Sequence, residues 1–412
     1  MKKEKIFIVA YPYVFREFDW QRFELDIVSK YCKVHVHELY RLYDNKWENV
    51  YQSRSERPEI TTYNTVSTWL EELRKIKKKY GRRNIYILDF FHFDTKIDFV
   101  LLKFLIAFTG ANVINLSLVG TIAEKSRLLE PLLYKLKNYG GSHLYRMMRI
   151  VVGHLLVRLY YFAMGKHLHI LIGGVDSELY QNKLLKSAGC YLHSASSWDY
   201  SNWLTLSEPV QSPVSGNYAV FIDAAGPRHR GDYWGLNIKM LVTSDQWYPA
   251  VCRFFQVLEE RFTEKIIVAA HPKVRIEEFP ADYEGRRNFS THDDKLMTMR
   301  LVAGSDFVIT VNSTAISYAV IFNKPIIFIT SNQRRRYPPE TLEYDDRLYR
   351  AFDATPINID SFCQDEISKH LTVKSEIYAD YKKAFLTLSG GVANSDIIVG
   401  NIMKLRHAEL IT

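Results

Sequence analysis

The sequence predicts an α/β protein built from two domains, each with a parallel β-sheet. A chain of 412 residues is too long for one ordinary hydrophobic core, and the usual size of domains favours two. Short β-rich runs alternate with helical stretches in both halves, which is typical of parallel strands joined by crossover helices. The composition, 47% hydrophobic and 24% charged, is that of a folded protein. We expect Rossmann-like domains over residues 1–206 and 207–412.

The first half contains five apolar, β-rich runs separated by helical patterns. An aromatic and serine-rich passage over residues 193–216 follows them, and we interpret it as the connection between the domains. The predicted strands are residues 6–10, 33–37, 84–89, 113–118 and 167–172, and the predicted helices are residues 65–79, 97–108 and the basic segment 135–166.

The second half repeats the alternation. Residues 377–405 are predicted to be helical, and we expect this terminal helix to be able to cross back onto the first domain. The predicted strands are residues 218–223, 265–270, 306–311 and 325–330, and the predicted helices are residues 245–260, 294–303 and 314–322.

Charge and cysteine content restrict the class of partner. The net charge of +8 and the isoelectric point near 9.0 favour anionic partners. The four cysteines lie far apart with no CxxC pair, which argues against a zinc site and a disulfide framework. The first apolar run is too short for the core of a signal peptide. The cysteines and the short first run therefore predict a cytoplasmic protein. We also expect no nucleic-acid partner.

One segment concentrates positive charge. No Asp or Glu occurs between Glu130 and Asp176, while six Lys and Arg residues do. Residues 147–164 are apolar but are interrupted by Arg149, His154 and Arg158, which disfavours a membrane-spanning helix. The segment either contacts an anionic membrane surface or an anionic substrate, or packs on the core with its arginines in solvent.

Polar residues follow three strands of the second half where each strand ends. Asp223 and a charged loop follow the first strand, His271-Pro272-Lys273 the second, and residues 312–314 the third. Ligands of open α/β sheets bind at the carboxyl ends of the strands. These three strand tips are therefore predicted to form one site.

Two of these tips suit a phosphate group. Ser313 and Thr314, after Asn312, begin a helix, whose first N–H groups bind anions, although a helix needs such a cap with or without a ligand. Proline stiffens the turn that carries His271 and Lys273. His271, Lys273 and the hydroxyl-bearing start of the helix would together neutralise a phosphate leaving group without a metal. No convincing Asp-x-Asp motif, which would bind a metal, is present.

The charged loop has two interpretations. Arg228 and Arg230 could bind a carboxylate in a bidentate manner, and His229 could relay a proton near neutral pH. Asp232 follows Gly231, and a carboxylate beside an anomeric carbon serves as nucleophile, as base or as a structural cap. The alternative is a solvated cluster of salt bridges.

These motifs resemble those of the retaining β-Kdo transferase domains of bacterial surface-polysaccharide synthesis. Kdo is 3-deoxy-manno-octulosonic acid, an acidic eight-carbon sugar, and the resemblance is to domains that cap lipopolysaccharide O-antigen chains with it. It is carried by residues 218–223 with the following loop, by His271-Pro272-Lys273, and by residues 312–314 with the segment 323–328.

The resemblance implies a modified glycosyltransferase B architecture, CMP-β-Kdo as donor, a lipid-linked saccharide acceptor, no metal or other cofactor, and retention of configuration. It also implies a carboxylate nucleophile, whose position matches Asp232. His271 and Lys273 would face the CMP phosphate or the Kdo carboxylate, and Ser313 and Thr314 the phosphate. Such an enzyme would be cytoplasmic and peripheral on the inner membrane.

Two other functions remain open. The first is an inverting CMP-sialic acid transferase on the same scaffold, in which Asp232 or another acid is the base. The second is a non-catalytic module of this fold that positions a polysaccharide or a partner enzyme.

Overall fold

Buried apolar runs form the central strands of two parallel sheets in the computed structural model. It describes residues 4–42, 54–91, 97–118, 141–175, 183–224, 226–228, 239–262, 265–271, 282–289, 294, 296–387 and 391–405. The chain divides into two compact units. Among the described residues, the first unit comprises the chain up to residue 196 together with 392–405, and the second comprises residues 197–387 and 391.

The first unit contains a sheet of seven parallel strands in the order β3-β2-β1-β4-β5-β6-β7. Strand β1 is buried along its whole length, as expected for an apolar run covered on both faces. The strands are β1 (Ile6–Tyr11), β2 (Lys33–Glu38), β3 (Ile60–Thr62), β4 (Ile85–Asp89), β5 (Asn112–Ser117), β6 (Leu168–Ile172) and β7 (Tyr191–Ser194).

Helices connect these strands. Thr65 caps helix α3, because its hydroxyl accepts a hydrogen bond from the N–H of Thr68, and Gly81 ends the helix with a positive φ of 78°. The helices are α1 (Glu17–Arg22), α2 (Leu25–Val28), α3 (Val66–Tyr80), α4 (Ile97–Thr109), α5 (Gly141–Met164) and α6 (Lys183–Ser187). Short 3₁₀ turns cover Tyr40–Leu42, Arg82–Asn84 and Gly165–His167.

The second unit contains a sheet of six parallel strands in the order β10-β9-β8-β11-β12-β13. Its cores lie on both faces of β8, with Phe221 packed on one side and Val220 on the other. The strands are β8 (Tyr218–Ile222), β9 (Lys265–Ala269), β10 (Asn288–Phe289), β11 (Val308–Thr310), β12 (Ile326–Thr330) and β13 (Ile357–Asn358).

The helices of this unit follow the strands in the same alternation. They are α7 (Trp198–Leu204), α8 (Ser244–Phe262), α9 (Met297–Gly304), α10 (Ser317–Ile321), α11 (Pro339–Ala351), α12 (Gln364–Ile367) and α13 (Ser375–Tyr381). The 3₁₀ turns are Thr314–Ile316, Arg334–Arg336 and Ser368–His370, and a π-helical turn covers Lys382–Leu386.

The end of the described chain packs in the first unit. A short helix α14 (Asn394–Asp396) continues into a π-helical segment, Ile397–Ile402. The N–H of Ser395 donates to the buried carboxylate of Glu24 at 2.9 Å, and the side chain of Asn394 bonds the backbone of Ser196 in both directions. These hydrogen bonds attach the terminal segment to Glu24, the residue before α2, and to Ser196, two residues after β7.

The predicted α/β class with two parallel sheets is confirmed, as are the apolar strands of both halves. The sequence missed four strands at or near sheet edges: β3, β7, β10 and β13 have only two to four residues. Two predicted segments differ in detail. Residues 193–216 contain part of β7 and helix α7, and residues 377–405 contain α13, α14 and two π-helical turns. No described helix is long and apolar enough to span a bilayer.

Candidate functional site

The carboxyl ends of three neighbouring strands lie side by side in the second unit. Ile222 of β8 is paired with Ala269 of β9 on one side and with Thr310 of β11 on the other. Asp223, His271 and Asn312 come one or two residues after these partners, so they emerge at the same edge of the sheet. The structure therefore brings together the three tips that the sequence singled out.

Thr310 joins two of these tips through its buried hydroxyl group. The hydroxyl donates a hydrogen bond of 3.1 Å to the carbonyl of Ile222 and accepts one of 3.3 Å from the N–H of Ser313. One side chain thus fixes the turn after β11 against the end of β8. Because the hydroxyl is fully buried, its removal would leave both the carbonyl of Ile222 and the N–H of Ser313 without this hydrogen-bond partner.

Ser313 and Thr314 begin a turn rather than a regular α-helix. The hydroxyl of Ser313 accepts a hydrogen bond of 3.2 Å from the N–H of Ala315, as an N-cap does. A 3₁₀ turn, Thr314–Ile316, then leads into α10. Within the described chain, no acceptor bonds the N–H of Thr314, which leaves a backbone donor at this strand tip.

The side chain of Asn312 is positioned by an ion pair between Asp345 and Arg334. Its side-chain amide donates a hydrogen bond of 2.7 Å to the carboxylate of Asp345 on α11, and Arg334 binds the other oxygen of that carboxylate at 2.6 and 2.8 Å. Asp345 is buried, so its charge is compensated by Arg334. The hydroxyl of Tyr349, on the same helix, donates to the carbonyl of Val311 at 3.1 Å.

Neither Asp345 nor Arg334 is among the site residues predicted from the sequence. Asp345 lies 33 residues beyond Asn312, with nothing in the intervening chain that indicates the contact. A signal was present for Arg334, since three arginines, 334–336, come shortly after the predicted strand 325–330 and hence at a fourth strand tip of the same sheet.

Asp223 occupies a buried position one residue beyond β8. Its N–H donates to the carbonyl of Ala269 at 3.0 Å, and the side chain lies near Tyr248 and Tyr283. Burial first, and the charge of Asp223 second, raise the pKa of both tyrosines above their ordinary value. Both phenols therefore stay protonated across the physiological pH range.

Arg228 already binds a carboxylate within the protein. Its guanidinium forms a bidentate pair with Asp282 at 2.6 and 2.8 Å and lies 5.5 Å from the centre of the Tyr248 ring. A substrate carboxylate would therefore have to share the guanidinium of Arg228 with Asp282 or displace Asp282 from it. Gly226 has a φ of +40°, and a side chain there would meet the indole nitrogen of Trp247 at 3.3 Å.

Several predicted site residues lie outside the described part of the chain. They are His229, Arg230 and Asp232 of the charged loop, and Lys273 with Pro272 beyond β9. His271 is described and is half-buried, two residues beyond the end of β9. The roles predicted for all of them stay predictions. The described residues contain no group of three or more His, Cys, Asp or Glu side chains that could hold a metal ion.

Comparison with known proteins supports the fold. No protein-family model and no curated protein sequence matches the chain. MnaA of S. aureus, in a structure with UDP, superposes with a TM-score of 0.51 and 15% identity over 97% of this chain and 96% of that one. A single-residue variant of the wall teichoic acid polymerase TagF gives 0.52 and 9% identity, over 97% and 88%. The chain has two Rossmann-like domains of the glycosyltransferase B type.

Proposed function

We propose that this protein is a retaining glycosyltransferase that moves Kdo from CMP-β-Kdo to a saccharide acceptor of a bacterial surface polysaccharide, such as a lipid-linked O-antigen. One observation carries the proposal. The paired ends of β8, β9 and β11 bring Asp223, His271 and residues 312–314 to one edge of the sheet in a fold of the glycosyltransferase B type. The motif resemblance supplies the donor and the stereochemistry.

The turn after β11 suits a phosphate group. The N–H of Thr314 and the hydroxyl groups of Ser313 and Thr314 are donors at a strand tip, and the network behind Asn312 fixes the turn. A phosphate is already a good leaving group, so its departure needs stabilisation of negative charge more than a general acid. His271 would supply part of that stabilisation, together with Lys273.

The reaction would proceed in two displacements. In the first, a carboxylate oxygen of Asp232 attacks the anomeric carbon of Kdo, the bond from that carbon to the phosphate oxygen breaks, and CMP leaves with the electron pair. In the second, an acceptor hydroxyl attacks the same carbon, releases the Asp232 carboxylate and gives its proton to a base. Two inversions give net retention.

Among the described residues, Asp223 brings a carboxylate to this edge. Its burial beneath the strand tip and its place beside Tyr248 and Tyr283 suit a structural role better than attack on a bulky sugar. The inverting CMP-sialic acid transferase remains the second candidate, because the same donors at the β11 tip would serve its CMP phosphate equally well. In that enzyme a carboxylate would act as base and no sugar would be attached to the protein.

A transfer assay with purified protein tests the proposal. The protein is incubated with CMP-Kdo, CMP-sialic acid or UDP-N-acetylglucosamine, in EDTA, with a panel of saccharide acceptors. Transfer of Kdo with retained configuration supports the proposal. Use of CMP-sialic acid with inversion favours the second candidate, and turnover of the UDP-sugar alone contradicts both. If no donor is transferred to any acceptor, and calorimetry detects no binding of nucleotide, the protein would be a non-catalytic module.

A further inference from the structure

Two helices of the first unit expose apolar side chains on the side opposite their buried face. Helices α4 and α5 pack together, with the rings of Phe104 and Tyr160 in edge-to-face contact at 5.8 Å. Nine large hydrophobic residues are exposed in the described chain, and six of them lie on these two helices. The six are Leu101 and Phe108 of α4, and Val152, Leu155, Leu159 and Phe162 of α5.

Their spacing makes an apolar stripe along one side of each helix. On α5 they follow one another at intervals of three, four and three residues, and on α4 they are seven apart, which places each set on one side of its helix. They are between 41% and 78% exposed, and Phe108 is the most exposed. Clusters of this kind mark interaction surfaces, whereas isolated exposed apolar residues are normal.

Positively charged residues border this apolar face. At the end of α4, the ammonium of Lys77 donates to the carbonyl of Phe108 at 3.3 Å, and the side chain of Arg82 packs over Gly110. Arg82 is also exposed to solvent. On α5, Arg158 is exposed next to the stripe, and the sequence has no acid between residues 130 and 176.

We propose that this face, defined by the apolar stripes of α4 and α5 with their basic rim, docks on an anionic lipid bilayer. The apolar side chains would enter the boundary between headgroups and acyl chains while the cations bind lipid phosphates. This inference does not depend on the identity of the donor sugar. Membrane contact was one of the alternatives that the sequence left open for the basic segment, residues 135–166. Lys135 and Lys137 lie outside the described residues, and α3 and α4 contribute to the face proposed here.

A second copy of the chain fits the face less well. A twofold dimer places the same patch of both subunits in contact, so the basic rim of one would lie near the basic rim of the other. Like charges brought close together in this way oppose association, and α5 contains no acidic residue that could compensate them. An anionic bilayer satisfies both the apolar stripe and its charged border.

Flotation with vesicles tests the proposal. Purified protein is mixed with vesicles of neutral phosphatidylcholine, or of the same lipid with phosphatidylglycerol, at low and high salt. We expect recovery with the anionic vesicles only, and less of it at high salt. Equal recovery with both kinds of vesicle, or none with either, would overturn the proposal.

Two sets of variants separate the two components of the face. Arg82→Ala/Arg158→Ala should weaken partitioning by about 30-fold, at roughly a factor of five for each cation. Leu155→Gln/Leu159→Gln should weaken it by about tenfold or more through lost insertion. All four residues are exposed, so thermal stability should be unchanged.

Matched controls are the exposed cations Lys30→Ala/Lys33→Ala and the exposed apolar Val66→Gln, all of them outside the face, which should float like the wild type. Light scattering provides the decisive alternative. A dimer that dissociates in Leu155→Gln/Leu159→Gln, with vesicle recovery unaffected, would assign the face to a second copy and overturn the membrane assignment.

Discussion

The amide of Asn312 donates a hydrogen bond of 2.7 Å to the carboxylate of Asp345, and Arg334 compensates the charge of that buried carboxylate. The contact joins the tip of β11 to a helix that follows the next strand. A residue predicted to bind the donor is thus itself held in place by a pair that no motif contains. The geometry of the proposed phosphate site therefore depends on Asp345.

Replacing Asp345 should damage both stability and donor binding. In Asp345→Asn the guanidinium of Arg334, whose side chain is only 14% exposed, loses its ionic partner. We expect the free energy of unfolding to fall by about 3 kcal/mol. Urea denaturation measures that loss and calorimetry the affinity for CMP. The control is Asp346→Asn, an exposed neighbour on the same helix, which should change stability by less than about 0.5 kcal/mol. Equal effects of the two variants would contradict the account.

The hydroxyl of Thr310 should contribute measurably to the same site. Thr310→Val keeps the shape of the side chain but leaves the carbonyl of Ile222 and the N–H of Ser313 without their partner. We expect a loss of about 2 kcal/mol and weaker donor binding. Thr310→Ser, which retains the hydroxyl, should recover most of both. A valine variant as stable as the wild type would show that the bridge has no energetic role.

His271 should affect turnover rather than folding. If it stabilises charge on the departing phosphate, His271→Ala should lower kcat with CMP-Kdo by about 10² to 10³, with little change in Tm. His370→Ala, in the same unit but beyond α12, serves as control and should leave kcat unchanged. A His271 variant that is unstable yet keeps its specific activity would make the residue a structural part of the turn.

The first unit should lose stability in acid because of His37. This residue is fully buried and accepts a hydrogen bond from the indole N–H of Trp69 at 3.2 Å. Burial lowers its pKa from an ordinary 6.5 to about 3. Between these values the unfolded chain binds a proton that the folded chain does not, so stability falls as the pH drops below 6.5.

At pH 5 the loss due to His37 should be about 2 kcal/mol relative to pH 7. The measurement is urea denaturation at both pH values. His37→Gln keeps an acceptor for Trp69 but has no group that titrates, so the difference between pH 5 and pH 7 should shrink by that amount. His169, whose pKa burial lowers to about 4, adds a loss in the same direction. An unchanged pH dependence in His37→Gln would contradict this assignment.

The sequence predicted the central strands because they are continuous apolar runs, such as residues 218–223 and 265–270, whose burial does not depend on distant residues. Strands β10 and β13 have two residues each and form only because a neighbouring strand is already in place. Local sequence has no such information, so sheet edges were missed.

The candidate site divides in the same way. The three strand tips were predictable, since polar residues directly follow buried strands. The partners of those tips were not, because Asp345 and Asp282 reach Asn312 and Arg228 from 33 and 54 residues along the chain. Arg228 is paired with Asp282, but His229, Arg230 and Asp232 lie outside the described residues, so both interpretations of the charged loop stay predictions.

The proposal that a Kdo unit is carried on Asp232 is tested most directly by mass spectrometry of the intact protein after mixing with CMP-Kdo. The account predicts a mass increase of one Kdo residue, mapped to the peptide that contains Asp232, and no adduct or transfer in Asp232→Ala. Asp223→Ala should still form the adduct, with weaker folding or donor binding. Full transfer by Asp232→Ala, or a product of inverted configuration, would contradict the double displacement and favour the inverting transferase.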